Sequence, residues 1–216
     1  DLTNIELIRT ISFFNKPILL STGASTLEEI DFSVKFIEDL GIKNLTLLHC
    51  VLNYPTKNSN ANLWMIRRLS EKYPDHIIGY SDHTIGMTAC FVAASLGADI
   101  IEKHFTLDNN YSKFRDHKLS LNPQDFKEMV TKIREIEMLV GKKEKIIQKC
   151  EKEGLKSSRR GLAFIGNLKK GHKLRSKDLT GLRPEKYFSV EKKSSFIGKT
   201  LKKNVLSGEF LSKREI

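Results

Sequence analysis

Two histidines in this 216-residue chain close or follow short β-branched runs: IIGYSDH ends on His83, and IIEKHFT contains His104. Neutral imidazole is a common ligand for borderline divalent metals, and a pair of them leaves coordination positions open for water and substrate oxygens. Taken singly, each reads more readily as a hydrogen-bonded core histidine. Strand side chains alternate, so if Ser81 and His83 share one face, Glu102, His104 and Thr106 can share the matching face of the next strand. The two rings then converge. Two earlier runs end in polar groups as well: Ser21-Thr22-Gly23, and His49-Cys50 followed by Asn53-Tyr54-Pro55. The first triplet offers hydroxyls and backbone N–H groups to a phosphate at a helix N-terminus, or serves simply as a helix cap. Asp82 reads either as an orienting partner for a ligand histidine or as a strand-end cap. The polar run Asn109 to Arg115 is placed to reach over a site or to be a solvated connection.

What must position these groups is a series of alternating elements. PILLST precedes a helix from Ser25 to about Leu40, and LTLLHC precedes one near Asn62–Lys72. IIGYSDH precedes one near Met87–Leu96, and IIEKHFT is followed by a last helix from Pro123 to about Val140. Four strand-helix units in series predict a parallel sheet, whose active site lies at the C-terminal ends of its strands. Thr26 is a cap ahead of Glu28 and Glu29, Pro123 suits a first helical turn, and Gly141 ends the last helix. Phe126, Met129, Val130, Ile133 and Ile136 recur at helical spacing and read as a core stripe. His49 is expected to fill the barrel interior, and Cys50 to be a small buried side chain without a cation beside it.

The opening DLTNIELIRTI reads as a loop running into an amphipathic helix, as though the chain begins inside a fold. Hydrophobic residues make up 39% with five prolines, which describes an ordered globular chain. No leader is evident, and the apolar stretch from Ala89 is interrupted by Gly97 and Asp99 and too short to span a bilayer. The expectation is no membrane and, with Cys50, Cys90 and Cys150 far apart and odd in number, a reducing cytoplasm. Net charge is +11, unevenly placed: residues 1–141 hold 15 basic and 18 acidic side chains, and 142–216 hold 22 and 8. The basic tail lacks interleaved aromatics and any nucleic-acid motif, so it reads as a solvated surface that attracts anionic substrates, with no nucleic acid as partner.

From Lys142 to Arg160 the composition turns to KKEKIIQKCEKEGLKSSRR, a charged linker of partly helical character. Beyond it NLKKGHKLRSKDL from Asn167 and NVLSGEFLSKREI from Asn204 form an internal repeat, with Gly171 and Gly208 at the turns of two similar hairpins. The organisation is therefore 1–141, a linker over 142–160, and a small pseudo-twofold β-domain over 161–216.

Five ordered blocks, ILLSTGASTLEEI, LLHCVLNYPT, GYSDHT, ADIIEKHFTLD and DHKLSL, resemble the N-acetylneuraminate (sialic acid) synthase family. The tail, RRGLAFIGNLKKGHKLRSKDLTGLRP through GKTLKKNVLSGEFLSKREI, resembles that family's SAF, or antifreeze-protein-like, domain. The resemblance implies an α/β fold: the C-terminal half of a TIM (β/α)8 barrel, followed by a small β-rich SAF (β-clip) domain. It implies a transferase that condenses phosphoenolpyruvate with N-acetylmannosamine or a related amino-sugar aldehyde. Residues matching His83 and His104 bind Mn2+ or a related divalent ion such as Mg2+, and those matching Ser21 and Ser81 contact phosphoenolpyruvate. Asp1, Tyr54 and Asp116 match contacts to the acetamido-sugar, and Arg183 matches an arginine supplied by the other subunit of a domain-swapped homodimer.

Two departures leave the sugar open. Leu52 stands where some members have Asn or Ser, and Lys113-Phe114-Arg115 replaces a Pro-Gly-Pro-like turn before Asp116. Legionaminate and pseudaminate synthases share the plan. A rival reading is a non-catalytic fragment or a sugar- or partner-binding module, since the family's remaining catalytic residues would lie upstream of Asp1.

Overall fold

The computed structural model describes all residues, 1–216, which divide into two compact units, Asp1–Lys142 and Lys143–Ile216. In the first unit four strands, β1 (Ile18–Ser21), β2 (Leu45–Cys50), β3 (Ile77–Asp82) and β4 (Ile100–Lys103), pair in sequence order, all parallel. They form a curled four-stranded half-barrel. The intervening helices are α2 (Leu27–Asp39), α3 (Trp64–Lys72) and α4 (Thr88–Ser95), preceded by α1 (Ile5–Ser12) and followed by α5 (Arg115–Leu119) and α6 (Pro123–Val140). Every residue of β2 is buried, as expected of a central parallel strand covered on both faces.

Alternation sorts each strand into two faces. Leu20, Leu45, Leu47, Ile78 and Tyr80 pack with Ile30, Val34 and Ile37 of α2 and with Ile66 and Leu69 of α3. Each such aliphatic side chain contributes about 1.5–3 kcal/mol by leaving water. The opposite, concave face is less covered along β1, where Leu19 is 52% exposed. Gly79 lies on that face, where an added Cβ would come within 2.6 Å of the Ile100 carbonyl oxygen. No larger residue fits there without moving β4.

The helix ends follow the local chemistry of the sequence. Thr26 caps α2 in a capping box with Glu29, and the opening loop is tied down by Ser33 Oγ donating to the Leu2 carbonyl at 2.9 Å. Asn122 caps α6, Pro123 occupies its first turn, and Gly141 terminates it at φ 62°. The expected stripe on α6 is only half covered: Met129 is buried against Cys90 and Leu121, whereas Val130 is 41% exposed. No helix is long and apolar enough to cross a membrane.

In the second unit, Lys143–Arg160 is exposed apart from the partly covered Leu155 and holds a 3-10 turn, Lys149–Glu151, and one short α-helix, α7 (Leu155–Ser158). Two antiparallel strands follow, β5 (Gly161–Phe164) and β6 (Leu179–Leu182). The repeat is structural as well as sequential, with an offset of 37 residues from Asn167 to Asn204. Leu168 and Val205 exchange both backbone hydrogen bonds. The Asn204 side chain accepts from Lys170 N at 2.8 Å, and its mate Asn167 accepts from Ser207 N at 2.9 Å. Gly171 N donates to the Leu201 carbonyl, and Gly208 N to the Phe164 carbonyl, at 2.8 Å each. The glycine turns stand where expected, at φ 90° and 85°. The two separate hairpins do not form, because each turn bonds to the other repeat. The apolar residues Leu162, Phe164, Leu174, Leu201, Val205 and Leu211 are thereby buried together.

Candidate active site

The side chains that could do chemistry gather beyond the ends of β3 and β4. His83 and His104 lie with ring centroids 5.2 Å apart and planes at 86°. Tyr54, on the loop after β2, lays its ring 4.0 Å from His83 and 5.7 Å from His104. Arg115, at the start of α5, lies over that tyrosine ring with its guanidinium carbon 5.0 Å from the centroid. Beside it Asp116 carries a buried Oδ1 with no hydrogen-bond partner, its nearest cation being Arg115 Nε at 3.7 Å. One step deeper, Ser81 Oγ donates to Glu102 Oε1 at 2.5 Å, as the shared register of Ser81 and Glu102 requires.

Protonation follows from these contacts. His83 Nδ1 sits 2.9 Å from the Val51 carbonyl, which can only accept, so Nδ1 carries a proton and Nε2 is the nitrogen left to face a ligand. Burial, and then the neighbouring His83, hold the His104 imidazole below the ordinary histidine value, which keeps it neutral at neutral pH. Burial also raises the Cys50 thiol, so this side chain at the end of β2 is an inert neighbour rather than a nucleophile. No cluster of three or more His, Cys, Asp or Glu side chains is set to hold a metal. Two imidazoles at this spacing do suit a divalent ion, since metal–nitrogen bonds of about 2.1 Å put the centroids of two adjacent ligand rings roughly 5 Å apart.

Of the eight expected site residues, the structure brings together His83, His104, Tyr54 and Asp116, with Ser81 one step below on the same strand face. Asp116 acts electrostatically on both His104 and Tyr54. Ser21 is exposed at the end of β1, and Asp1 is exposed with its carbonyl accepting from Asn4 N. Arg183 belongs to the second unit, where its Nε donates to the Ser158 carbonyl at 2.8 Å.

Two expectations change, and one that was left open is decided. His49 does not fill the concave interior: it shares parity with Leu45 and Leu47, stacks on Tyr80, and bonds through Nε2 to the Ala61 carbonyl at 2.8 Å on the helix side. It lines a cavity of about 580 Å³ with Ser25, Asn62 and Arg68, and neither His83 nor His104 borders that space. Ser21-Thr22-Gly23 does not open α2, which starts at Leu27 under its Thr26 cap. The Thr22 hydroxyl is spent on the Leu48 carbonyl at 3.0 Å. Asp82 does not touch the His83 ring: its Oδ1 accepts from Thr84 N at 2.7 Å, the strand-end cap.

Sequence reasoning missed Lys103, whose Nζ meets Asp82 Oδ2 at 2.8 Å with both side chains fully buried. A lysine inside a β-branched run one residue after a glutamate was the available signal, because alternation must send one of the two inward. It also missed Arg115, which only the return of the chain through α5 brings to Tyr54.

Polar groups gathered past the C-terminal ends of parallel strands are the arrangement in which α/β enzymes keep their active sites. The chain belongs to the NeuB family, whose model matches residues 1–145. It is 37% identical over 213 residues to the N,N'-diacetyllegionaminic acid synthase of Campylobacter jejuni, covering 98% of this chain and 63% of that protein. A Chromobacterium violaceum structure assigned as spore coat polysaccharide biosynthesis protein E matches with TM-score 0.80 and 25% identity, covering 99% of this chain and 64% of that one. N-acetylneuraminic acid (sialic acid) synthetase of Leptospira borgpetersenii, solved with citrate, matches with TM-score 0.67 and 33% identity over 71% of this chain and 53% of that one. The chain spans about three fifths of the length of the curated relatives it matches.

Proposed function

We propose that this protein is a nonulosonic acid synthase that joins phosphoenolpyruvate to an amino-sugar aldehyde and releases phosphate. The observation that carries the reading is the imidazole pair: two rings 5.2 Å apart, one with its Nδ1 engaged by the Val51 carbonyl, roofed by Tyr54. His83 and His104 would hold a divalent ion, Mn2+ or Mg2+, which supplies Lewis-acid polarisation of the aldehyde oxygen when bound.

The chain's own residues do the rest. Ser81, and Ser21 at the neighbouring strand end, orient phosphoenolpyruvate so that its methylene carbon faces the aldehyde carbon. The new carbon–carbon bond forms there, water adds to the phosphate-bearing carbon, and phosphate leaves by carbon–oxygen cleavage. Tyr54, Asp116 and Asp1 contact the acetamido-sugar, and Tyr54 excludes water from the imidazole face. The first unit is the second half of a TIM barrel, and residues 161–216 are a SAF domain whose Arg183 serves the sugar site of the other protomer in a domain-swapped homodimer. The reaction is cytoplasmic.

Similarity across 98% of the chain to a diacetyllegionaminic acid synthase favours a diacetamido-sugar over N-acetylmannosamine as the acceptor. The test is phosphate release from phosphoenolpyruvate by the full-length protein with N-acetylmannosamine and with the diacetamido precursors of legionaminate and pseudaminate, before and after chelation. Release that needs one acceptor and is restored by Mn2+ or Mg2+ is expected. Metal-independent release, or none with any acceptor, would refute the reading and leave the binding-module alternative.

A further inference from the structure

The residue before each imidazole points to the opposite face of its strand, and those two residues, Asp82 and Lys103, are direct register partners. They form a buried ion pair, Lys103 Nζ to Asp82 Oδ2 at 2.8 Å, with no exposure of either side chain. Its bonds converge on the backbone around His83. Asp82 Oδ1 accepts from Thr84 N at 2.7 Å, and Lys103 Nζ donates to the Thr84 carbonyl at 2.5 Å. Tyr80 Oη donates to Asp82 Oδ1 at 2.9 Å, and Cys90 Sγ of α4 donates to Asp82 Oδ2 at 3.2 Å. On the other side, the His83 carbonyl accepts from Thr56 N at 2.8 Å and the His104 carbonyl from Leu121 N at 2.9 Å.

We propose that the Asp82–Lys103 pair is a positioning device that clamps the tips of β3 and β4 together and so sets the separation and aim of His83 and His104 toward a shared divalent ion. The inference rests on the metal reading above. Its logic is geometric. A side chain at the end of a strand inherits its direction from the backbone beneath it, and a parallel pair ceases to bond where the strands end. Beyond Asp82 and Lys103 the two tips have no ladder to hold them in register. The ion pair replaces it, and the bonds to both backbone groups of Thr84 fix the turn that follows His83. A buried, fully bonded charge pair is rigid because any displacement leaves a charge or a polar group without its partner.

The test compares Mn2+ affinity with folding in the full-length protein, using Mn2+ alone, followed by the electron paramagnetic resonance signal of the free ion and by calorimetry. Single variants of Asp82 or Lys103 leave a buried charge unpaired, so the informative variant is the double one, Asp82→Asn with Lys103→Met, which removes both charges at similar volume. The expected result is a cooperative unfolding transition close to that of the parent, with Mn2+ affinity reduced by about 10–100-fold. A double variant that folds and binds Mn2+ as the parent does overturns the proposal. If it does not fold, Tyr80→Phe, which removes one hydroxyl and no charge, takes its place. A several-fold loss of Mn2+ affinity then supports the clamp, and unchanged affinity overturns it. His83→Ala and His104→Ala run alongside: if both still bind Mn2+ with the parent's affinity, the metal reading falls and the clamp falls with it. Metal binding lost in the histidine variants but intact in the folded double variant removes the clamp alone.

Discussion

The two units handle polar groups in opposite ways. In Lys143–Ile216 polar side chains are satisfied in matching pairs: Asn167 and Asn204 each serve the other repeat's turn, and Asp178 and Glu215 hold Arg175 N and Ser212 N at equivalent places within their own repeats. In Asp1–Lys142 the helix-facing network of Tyr80, Asp82, Lys103 and Cys90 is closed by internal pairing as well. On the concave side Asp116 Oδ1 is buried without a partner near the paired rings of His83 and His104. Internal pairing produces stability, and capacity for chemistry remains where pairing stops.

The sharpest way to break this contrast is to remove an imidazole. His83→Ala or His104→Ala in the full-length protein should lower metal-dependent phosphate release by about a thousandfold or more while thermal unfolding changes little. His49→Ala should do the reverse, because His49 bonds to the Ala61 carbonyl within the helix-side packing. Turnover assays beside melting curves check both.

Next comes the closed network of the same unit. Lys103→Met alone should destabilise it by about 3–5 kcal/mol, measured by urea unfolding, since Asp82 would remain buried and uncompensated.

In the second unit the contrast predicts acid sensitivity. Burial acts to raise the Asp178 carboxyl, but hydrogen bonds from His172 and Arg175 outweigh it and hold it well below its ordinary value of 3.8. With the folded value below the unfolded one, its stabilisation is fully present above about pH 4 and fades as pH falls toward the folded value. Asp178→Asn should therefore flatten the acid limb of the unfolding curve below about pH 4, read by circular dichroism against pH.

The smallest effect belongs to the asparagine mates. Asn167→Ala and Asn204→Ala should each cost about 1 kcal/mol in chemical unfolding. Similar losses at the two positions would sharpen the pseudo-twofold reading, and a large inequality would break it.

Much of the scaffold was legible because it is local. Alternating apolar runs, the Thr26 and Asn122 caps, Pro123 and Gly141 state their elements within a few residues, and β2 and α6 fall on their expected bounds. The convergence of His83 and His104 was also readable, since strand parity together with sequential parallel pairing places both on one face. His49 was misplaced by that same parity, because nothing in LTLLHC says which face of a fully buried strand looks toward the helices. The repeat at Asn167 and Asn204 was visible as a pattern, yet whether its turns bond within or between copies depends on long-range pairing.

The sequence by itself determined the order of strands and helices, their parallel pairing, and the candidate imidazoles, because periodicity and capping act over one or two turns of chain. Tertiary structure alone decided that Lys103 neutralises Asp82, that Arg115 lies over Tyr54, and that the two repeats interlock. Each of those contacts joins residues far apart in sequence, and burial makes the partner compulsory without revealing in advance which residue it will be.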